Sequence, residues 1–259
     1  MSDISFAFHK VFDQPFDTGV RSFAQPYLLF ASVGAFHVDS ADRTWLLPPY
    51  RAALIQANAP VRIWSTAPAV SSSVLFASDL TPTSTLASMP ALDCQVFRVS
   101  TLLHQMINYA TQWDVDKAAL DPASQSFFQA LAHVVGTASA ETENLWFPRA
   151  RSSDLERAIA FTLETLKEET AFSEVARVAI VSERTLSRRF LDELGMSWIE
   201  FVQRARIVRA TEGLVMGDAS IAELAYTWGF SSASSFAQKF RQLMGETPTQ
   251  YRQRLRAAQ

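Results

Sequence analysis

One pattern near the C-terminus constrains this chain more than any other: a helix-turn-helix is written twice. The first copy reads Phe172-Ser-Glu-Val-Ala-Arg-Val-Ala-Ile-Val-Ser-Glu-Arg-Thr-Leu-Ser-Arg-Arg-Phe190. The second reads Ser220-Ile-Ala-Glu-Leu-Ala-Tyr-Thr-Trp-Gly-Phe-Ser-Ser-Ala-Ser-Ser-Phe-Ala-Gln-Lys-Phe240. Superposed, Val175-Ala176 falls on Leu224-Ala225, Val181-Ser182 on Phe230-Ser231 and Phe190 on Phe240. Leu186 falls on Ser235 or Phe236, according to where a one-residue slip is placed. In each copy a short apolar-periodic helix meets a turn, and a second helix follows with small polar and basic residues outward. That is the shape of a helix made to lie in a DNA major groove.

Between the copies, Ser197 opens a periodic run through Trp198, Phe201, Val202, Ala205, Ile207 and Val208 to Leu214. A helix of about 18 residues is roughly 27 Å long. With its flanking turns it would hold two reading helices roughly 34 Å apart, one turn of DNA. A single chain would then reach two successive grooves.

Helix starts are marked by Ser-x-x-Glu, in which the hydroxyl accepts from the Glu amide and the carboxylate reaches back. The device is expected at Ser153/Glu156, Ser197/Glu200 and Ser220/Glu223. Leu155, Ile159, Leu163 and Leu166 form the expected buried stripe of the first helix. Gly195 and Gly245 each follow a reading helix, where a residue with positive φ ends it. Phe190, Trp198, Trp228, Phe230, Phe236 and Phe240 are expected to be scaffold rather than readers.

These residues resemble an AraC/XylS-type transcription regulator over about 153–252. The most specific part is Ala225 to Arg252, with Trp228-Gly229-Phe230, Ser235-Phe236, Phe240, Gly245-Glu-Thr-Pro248 and Tyr251-Arg252. The resemblance implies double-stranded promoter DNA as partner and places Arg184, Ser187 and Arg188 at base-contacting positions, with Thr185 beside them early on the helix. An Arg reading guanine O6 and N7 is worth about 1–3 kcal/mol of discrimination. In the second copy Ala233, Ser234, Ser235 and Gln238 match, and only Gln238 offers much direct readout. Lys239, Arg206 and Arg209 are the candidate phosphate contacts. A solvated helix face is the alternative for each basic residue. Two departures stand out. Ile180 occupies the place of a common glycine, and a β-branched residue resists positive φ, so a different turn geometry is expected there. Leu191-Asp-Glu193 puts carboxylates where a basic residue is usual, which would weaken phosphate binding.

Charge has the expected asymmetry but is weak. Residues 1–148 carry 7 basic and 12 acidic residues, residues 149–259 carry 16 and 14, and the whole chain has net charge −3. The single cysteine, Cys94, excludes an internal disulfide or a Cys-rich metal site. No run of apolar residues is long enough for a membrane span and the N-terminus has no signal pattern, so a cytoplasmic, non-membrane location is expected.

Residues 1–20 show no clear period and read as an arm. Short β-prone runs follow: Tyr27–Val33, Ala35–Val38, Trp45–Leu47, Ala53–Ile55, Val61–Trp64 and Ser73–Phe76. They point to a β-barrel or sandwich, and the stretch Trp45 to Ile63 resembles the family's cupin-like sensor domain. His9, His37, His104 and His133 are unpaired in sequence, and Val61 stands where related domains often place a histidine. No metal or other cofactor is therefore expected. Phe30, Phe36, Trp45 and Trp64 are the candidate lining of an effector pocket; the alternative is that they fill the core. Helical stripes follow at Val99–Ala110 and Ala123–Ala138, the first expected to form a homodimer contact that Leu103→Glu would disturb.

The reading is an α+β chain in three parts. Residues 1–140 form a cupin-like sensor or dimerisation domain with helices, 141–152 a linker, and 153–259 an all-α domain with two helix-turn-helix motifs joined by a long linker helix. The function it implies is sequence-specific DNA binding in transcription regulation, without catalysis. A small-molecule effector and RNA polymerase are the further partners. Two other classes stay open: a cupin-type enzyme with a DNA-localising tail, and a module whose helices recruit protein.

Overall fold

The computed structural model describes residues 3–41, 43–65, 68–80, 93–140, 146–216 and 219–257. The chain divides between residues 145 and 146 into two compact units, with residues 42–44 counted in the second.

In the first unit the β-prone runs become β3 (Tyr27–Val33), β4 (Phe36–Ser40), β5 (Arg43–Leu47), β6 (Arg51–Ile55), β7 (Val61–Ser65) and β8 (Ala69–Leu75). The N-terminal segment is not an arm. It supplies β1 (Phe6–Phe12) and β2 (Phe16–Arg21), which pair antiparallel with β8 and β7. As outer strands they bury few residues, so no apolar period marked them. With β9 (Cys94–Arg98), one sheet has the order β1-β8-β3-β6-β9, and a second contains β5-β4-β7-β2. The barrel-or-sandwich alternative resolves to two sheets rather than one closed barrel. β3 and β6 are interior strands, and Tyr27–Ala31 and Arg51–Ile55 are buried on both faces. That accounts for their continuous apolar texture.

Among the described residues, three α-helices complete the unit: α1 (Thr101–Ala110), α2 (Val115–Leu120) and α3 (Pro122–Ser139). Ser100 caps α1 by accepting the Leu103 amide at 3.2 Å. Leu103, His104, Ile107 and Ala110 make its buried face. Leu103 therefore belongs to the core and not to an outer contact, and the exposed apolar residues of α1 are Leu102 and Tyr109. α2 escaped the sequence reading because it buries only Ala118.

The second unit opens with β10 (Trp146–Pro148), inside the segment expected as linker; residues 141–145 of that segment lie outside the described residues. Then follow α4 (Ser153–Glu164), α5 (Phe172–Ala179), α6 (Glu183–Leu194), α7 (Trp198–Met216), α8 (Ile221–Thr227), α9 (Ala233–Met244) and α10 (Pro248–Ala257). The duplication extends beyond the two motifs. Arg157 and Thr162 on α4 stand 49 residues before Arg206 and Thr211 on α7. Leu186, Phe190, Gly195 and Phe201 stand 50 residues before Phe236, Phe240, Gly245 and Tyr251. The slip therefore lies in the turn, and Leu186 corresponds to Phe236.

One core gathers Leu155, Ala158, Val175, Ala176, Ala179, Leu186, Phe190, Leu194 and Phe201. The apolar-side stripe of α4 is Leu155, Ala158 and Thr162, with Ile159 and Leu163 only half-buried flanks; Leu166 is buried in the turn after the helix. The second copy repeats the arrangement with Leu224, Ala225, Phe236, Phe240, Met244 and Tyr251, all buried. α7 serves both. At about 3.6 residues per turn, Phe201, Ala205 and Val208 fall on one face, and Ile207, Ala210, Thr211 and Leu214 on the opposite one. All seven are buried, so the helix has two apolar faces instead of one.

Capping differs from expectation at one helix and exceeds it at another. Ser197 and Glu200 form the reciprocal box at 2.8 and 3.2 Å, and so do Ser220 and Glu223 at 2.6 and 3.1 Å. At α4 the N-cap is Ser152, not Ser153, and its side chain does not cap the helix. A further box joins Thr247 and Gln250 at 3.0 and 3.2 Å.

Ile180 takes the left-handed conformation after all, with φ 62° and ψ 38°. The Val181 amide donates to Ala176 O at 3.1 Å, as Phe230 does to Ala225 O at 2.9 Å past Gly229. Packing of the first core overrides the local preference, and an αL conformation costs a non-glycine residue roughly 1–2 kcal/mol. The Ile180 side chain is 79% exposed, so little burial offsets that cost. Ile180→Gly should raise unfolding stability by about 1 kcal/mol after the entropy of glycine in the unfolded chain is counted. Urea titration followed by circular dichroism measures it, and a lower midpoint would contradict the strain.

Candidate nucleic-acid interface

α6 and α9 are both 12 residues long, and each begins at a serine N-cap. Ser182 Oγ accepts the Thr185 amide at 3.2 Å, and Ser232 Oγ accepts the Ser235 amide at 3.1 Å. Counting from these caps pairs Arg184 with Ser234, Thr185 with Ser235, Ser187 with Ala237, Arg188 with Gln238 and Arg189 with Lys239. Leu186, Phe190 and Leu194 turn inward from α6, as Phe236, Phe240 and Met244 do from α9. What remains outward is the candidate reading surface.

Arg184, Ser187 and Arg188 are exposed, as are Ser234 and Gln238. Arg188 Nε lies 3.9 Å from Asp192 Oδ2, with both side chains mostly in solvent. Such an i,i+4 surface pair is worth about 0.3–0.5 kcal/mol. That is too little to hold Arg188 back from a base worth about 1–3 kcal/mol. Thr185 and Ser235 behave differently. The Thr185 hydroxyl lies 2.9 Å from Ser182 Oγ, and Ser235 Oγ donates to Ser232 O at 2.9 Å. Their hydroxyls are engaged in the caps and stiffen the starts of α6 and α9.

Arg206 is corrected from phosphate contact to scaffold. Its guanidinium donates to Leu166 O at 3.0 Å, Gly229 O at 3.1 Å and Glu168 O at 3.3 Å. Arg209 is half-buried on α7 and Lys239 half-buried on α9.

The carboxylates after Phe190 also divide. Asp192 is exposed, but Glu193 points into the domain. It accepts the Arg151 amide at 2.6 Å, the Ser152 amide at 3.0 Å and the Ser152 hydroxyl at 2.6 Å. A carboxylate at those amides caps α4 from another helix, where the helix dipole favours negative charge. Arg189 joins the cluster, with Nη1 at 3.3 Å from Glu193 Oε1 and Nε at 3.3 Å from Asp154 Oδ2. The expected repulsion of phosphates by this carboxylate does not apply, because its charge is neutralised inside the scaffold. Burial pushes the Glu193 carboxyl up, but hydrogen bonds from Ser152 and Arg151 and the Arg189 charge outweigh it and hold it below its ordinary range. Asp154 is held low as well, first by its hydrogen bond from Ser152.

Among the described residues, three of the candidate effector residues of the first unit have separate ring neighbours. Phe30 packs on His104 and Tyr50, at 5.3 and 6.0 Å between ring centres. Phe36 packs on Phe16 and Phe12. Trp64 stacks on His37 at 3.8 Å and donates to Asp39 Oδ2 at 3.3 Å, and Trp45 is buried. Two cavities of about 370 and 360 Å³ are lined by other residues. The smaller lies in the first unit beside Ser5, Leu80 and Phe128, and the larger in the second unit beside Leu166, Trp198 and Arg206.

Residues 175–254 match the model of a helix-turn-helix domain. An uncharacterised HTH-type transcriptional regulator of Staphylococcus aureus (strain COL) is 38% identical over 85 residues, or 33% of this chain. The chain spans only 11% of that relative's length. HTH-type transcriptional regulator NimR of Escherichia coli (strain K12) is 23% identical over 253 residues, covering 97% of this chain and 88% of the relative. Among solved structures, the DNA-binding domain of AdpA in complex with a target DNA is 32% identical with a TM-score of 0.38. It covers 41% of this chain and 96% of that one. ToxT from Vibrio cholerae O395 is 12% identical with a TM-score of 0.41, covering 98% and 99%.

The Glu193 cap sets a pH dependence. A carboxyl whose folded pKa is depressed contributes stability above its unfolded value, and that stability is lost as pH falls through the folded value. Glu193→Gln should cost about 1–2 kcal/mol at pH 7. The difference from the parent chain should shrink as pH drops below the ordinary Glu value of 4.5. Thermal unfolding of both proteins from pH 7 to pH 3 reads this directly; a constant gap would remove the charged cap.

Proposed function

We infer, from an AraC-type helix-turn-helix domain at residues 175–254, that this chain binds specific promoter DNA and regulates transcription. The observation that carries the reading is the pair of equal-length, equally capped helices α6 and α9 joined through a single rod, α7. That rod is 19 residues and so about 28 Å long, close to the roughly 34 Å turn of the duplex. We propose Arg184, Ser187 and Arg188 as base readers in the first copy, with Ser234 and Gln238 in the second. Lys239 and Arg209 face the phosphates. The first copy carries most of the specificity, since two arginines stand opposite a serine and a glutamine. The relatives named HTH-type transcriptional regulators support this reading.

Residues 1–140 are proposed as the cupin-like sensor and dimerisation part and residues 153–259 as the DNA-reading part. The protein acts without catalysis in the cytoplasm, and RNA polymerase and a small-molecule effector are its further partners. No helix among the described residues is long and apolar enough to cross a membrane.

Selection of bound sequences from random duplex DNA tests the reading, and footprinting should give two protected patches one duplex turn apart. On the recovered sequence Arg188→Ala should cost about 1–3 kcal/mol and erase preference at one base pair. Equal loss on every sequence would make Arg188 a phosphate contact. For the dimer, the exposed apolar pair on α1 is the proposed contact, Leu102 at 62% and Tyr109 at 58% exposure. Leu102→Glu should yield monomer in sedimentation while the fold persists. An unchanged dimer would rule out α1.

A further inference from the structure

We propose that Arg206 is the positioning residue that sets the separation and rotational phase of the two reading helices, and with them the spacing of DNA half-sites the chain accepts. The inference rests on the DNA-binding reading above.

Arg206 sits near the middle of α7 and bridges the two copies. Two of its bonds, to Leu166 O and Glu168 O, hold the loop that follows α4 in the first copy. The third, to Gly229 O, holds the turn that aims α9 in the second. A planar guanidinium bonded to three main-chain carbonyls fixes the backbone itself, where a lysine would supply only a swivelling point charge. The turn is shaped to receive it. Gly229 has φ +69°, and a Cβ there would stand 2.7 Å from Arg206 Nη1 and 2.8 Å from its Cζ. Glycine adopts this conformation without strain and leaves room for the approach of the guanidinium. A second tie joins the same loop to the same turn, with Lys167 Nζ 4.9 Å from the centre of the Trp228 ring.

The first copy holds the comparison. Arg157, at the matching place on α4, donates to Ala179 O at 2.8 Å. That bond stays within one copy, and the turn residue beside it is Ile180 rather than glycine. The arginine device exists in both repeats, but only in the second does it reach across to the other copy. Its leverage is large. A tilt of about 10° at one end of a rod about 28 Å long moves the other end by roughly 5 Å, more than the ~3.4 Å rise of one base pair.

The test uses the full chain and duplex oligonucleotides carrying the sequence recovered by selection. One series inserts 0, 1, 2 or 5 base pairs between the two protected patches, and another scrambles either patch. The parent chain should lose at least roughly tenfold in affinity on inserting two base pairs, because both sites can no longer be engaged together. In Arg206→Lys and Arg206→Gln that loss should shrink to about threefold or less, while binding to DNA with one patch scrambled stays within about twofold of the parent. A parent-like spacing profile in a folded variant overturns the assignment. So does a parallel loss on the scrambled DNAs, which would make Arg206 a phosphate contact or a general fold determinant. Should Arg206→Gln fail to fold, Arg206→Lys carries the test, since it keeps the charge and the aliphatic stem. A parent chain indifferent to spacing defeats the two-groove reading itself, which separates the two failures.

Discussion

A single uninterrupted helix shared by two hydrophobic cores is the constraint on which the C-terminal unit depends. Near its start α7 presents Phe201 to the core built by α4, α5 and α6, and further on it presents Ile207, Ala210 and Leu214 from the opposite side. α8, α9 and α10 all pack on it. Because interior packing tolerates little displacement, α6 and α9 are each registered against α7 and, through α7, against the other. Repetition of the helix-turn-helix would not by itself achieve this. Two copies on a loop would have no defined separation, whereas two copies grown on one rod do.

The second principle of this domain is that charge is used inside as much as outside. Arg157 and Arg206 bond to carbonyls at the turns, and Glu193 caps α4 while holding Arg189. An isolated surface ion pair contributes little. A charged group that satisfies several backbone donors or acceptors at once contributes more, because those groups would otherwise face loss of water without replacement. This sorting leaves Arg184 and Arg188 outward on α6 and Ser234 and Gln238 outward on α9. The asymmetry between the copies is therefore in the outward surface of α6 and α9, while the scaffolds beneath are nearly the same.

Much of this was legible before the fold was known. The boxes Ser197/Glu200 and Ser220/Glu223 marked helix starts because the two hydrogen bonds that define them lie within four residues. The buried aromatics of the two copies were readable from periodicity, and β3 to β8 from β-prone runs between turns, whereas β9 and β10 carry no such mark. The failures have equally physical causes. β1 and β2 carry no clean alternation because outer strands bury few residues. Ser153 resembles a cap in the sequence because the group that caps α4, Glu193, stands 41 residues from Ser152 in the chain. Ile180 was expected to change its turn, yet the first core holds it left-handed.

Local chemistry and periodicity thus determined the elements, the duplication and the kind of surface that α6 and α9 present, since each depends on neighbours a few residues apart. Only the tertiary structure decided which charged residues remain free to meet a partner. Arg206 and Arg188 look alike in the sequence, two arginines on helices of a basic domain. One is engaged by carbonyls from both copies and the other is left in solvent. That difference is made by contacts across 23 to 40 residues, a range over which no local pattern carries information.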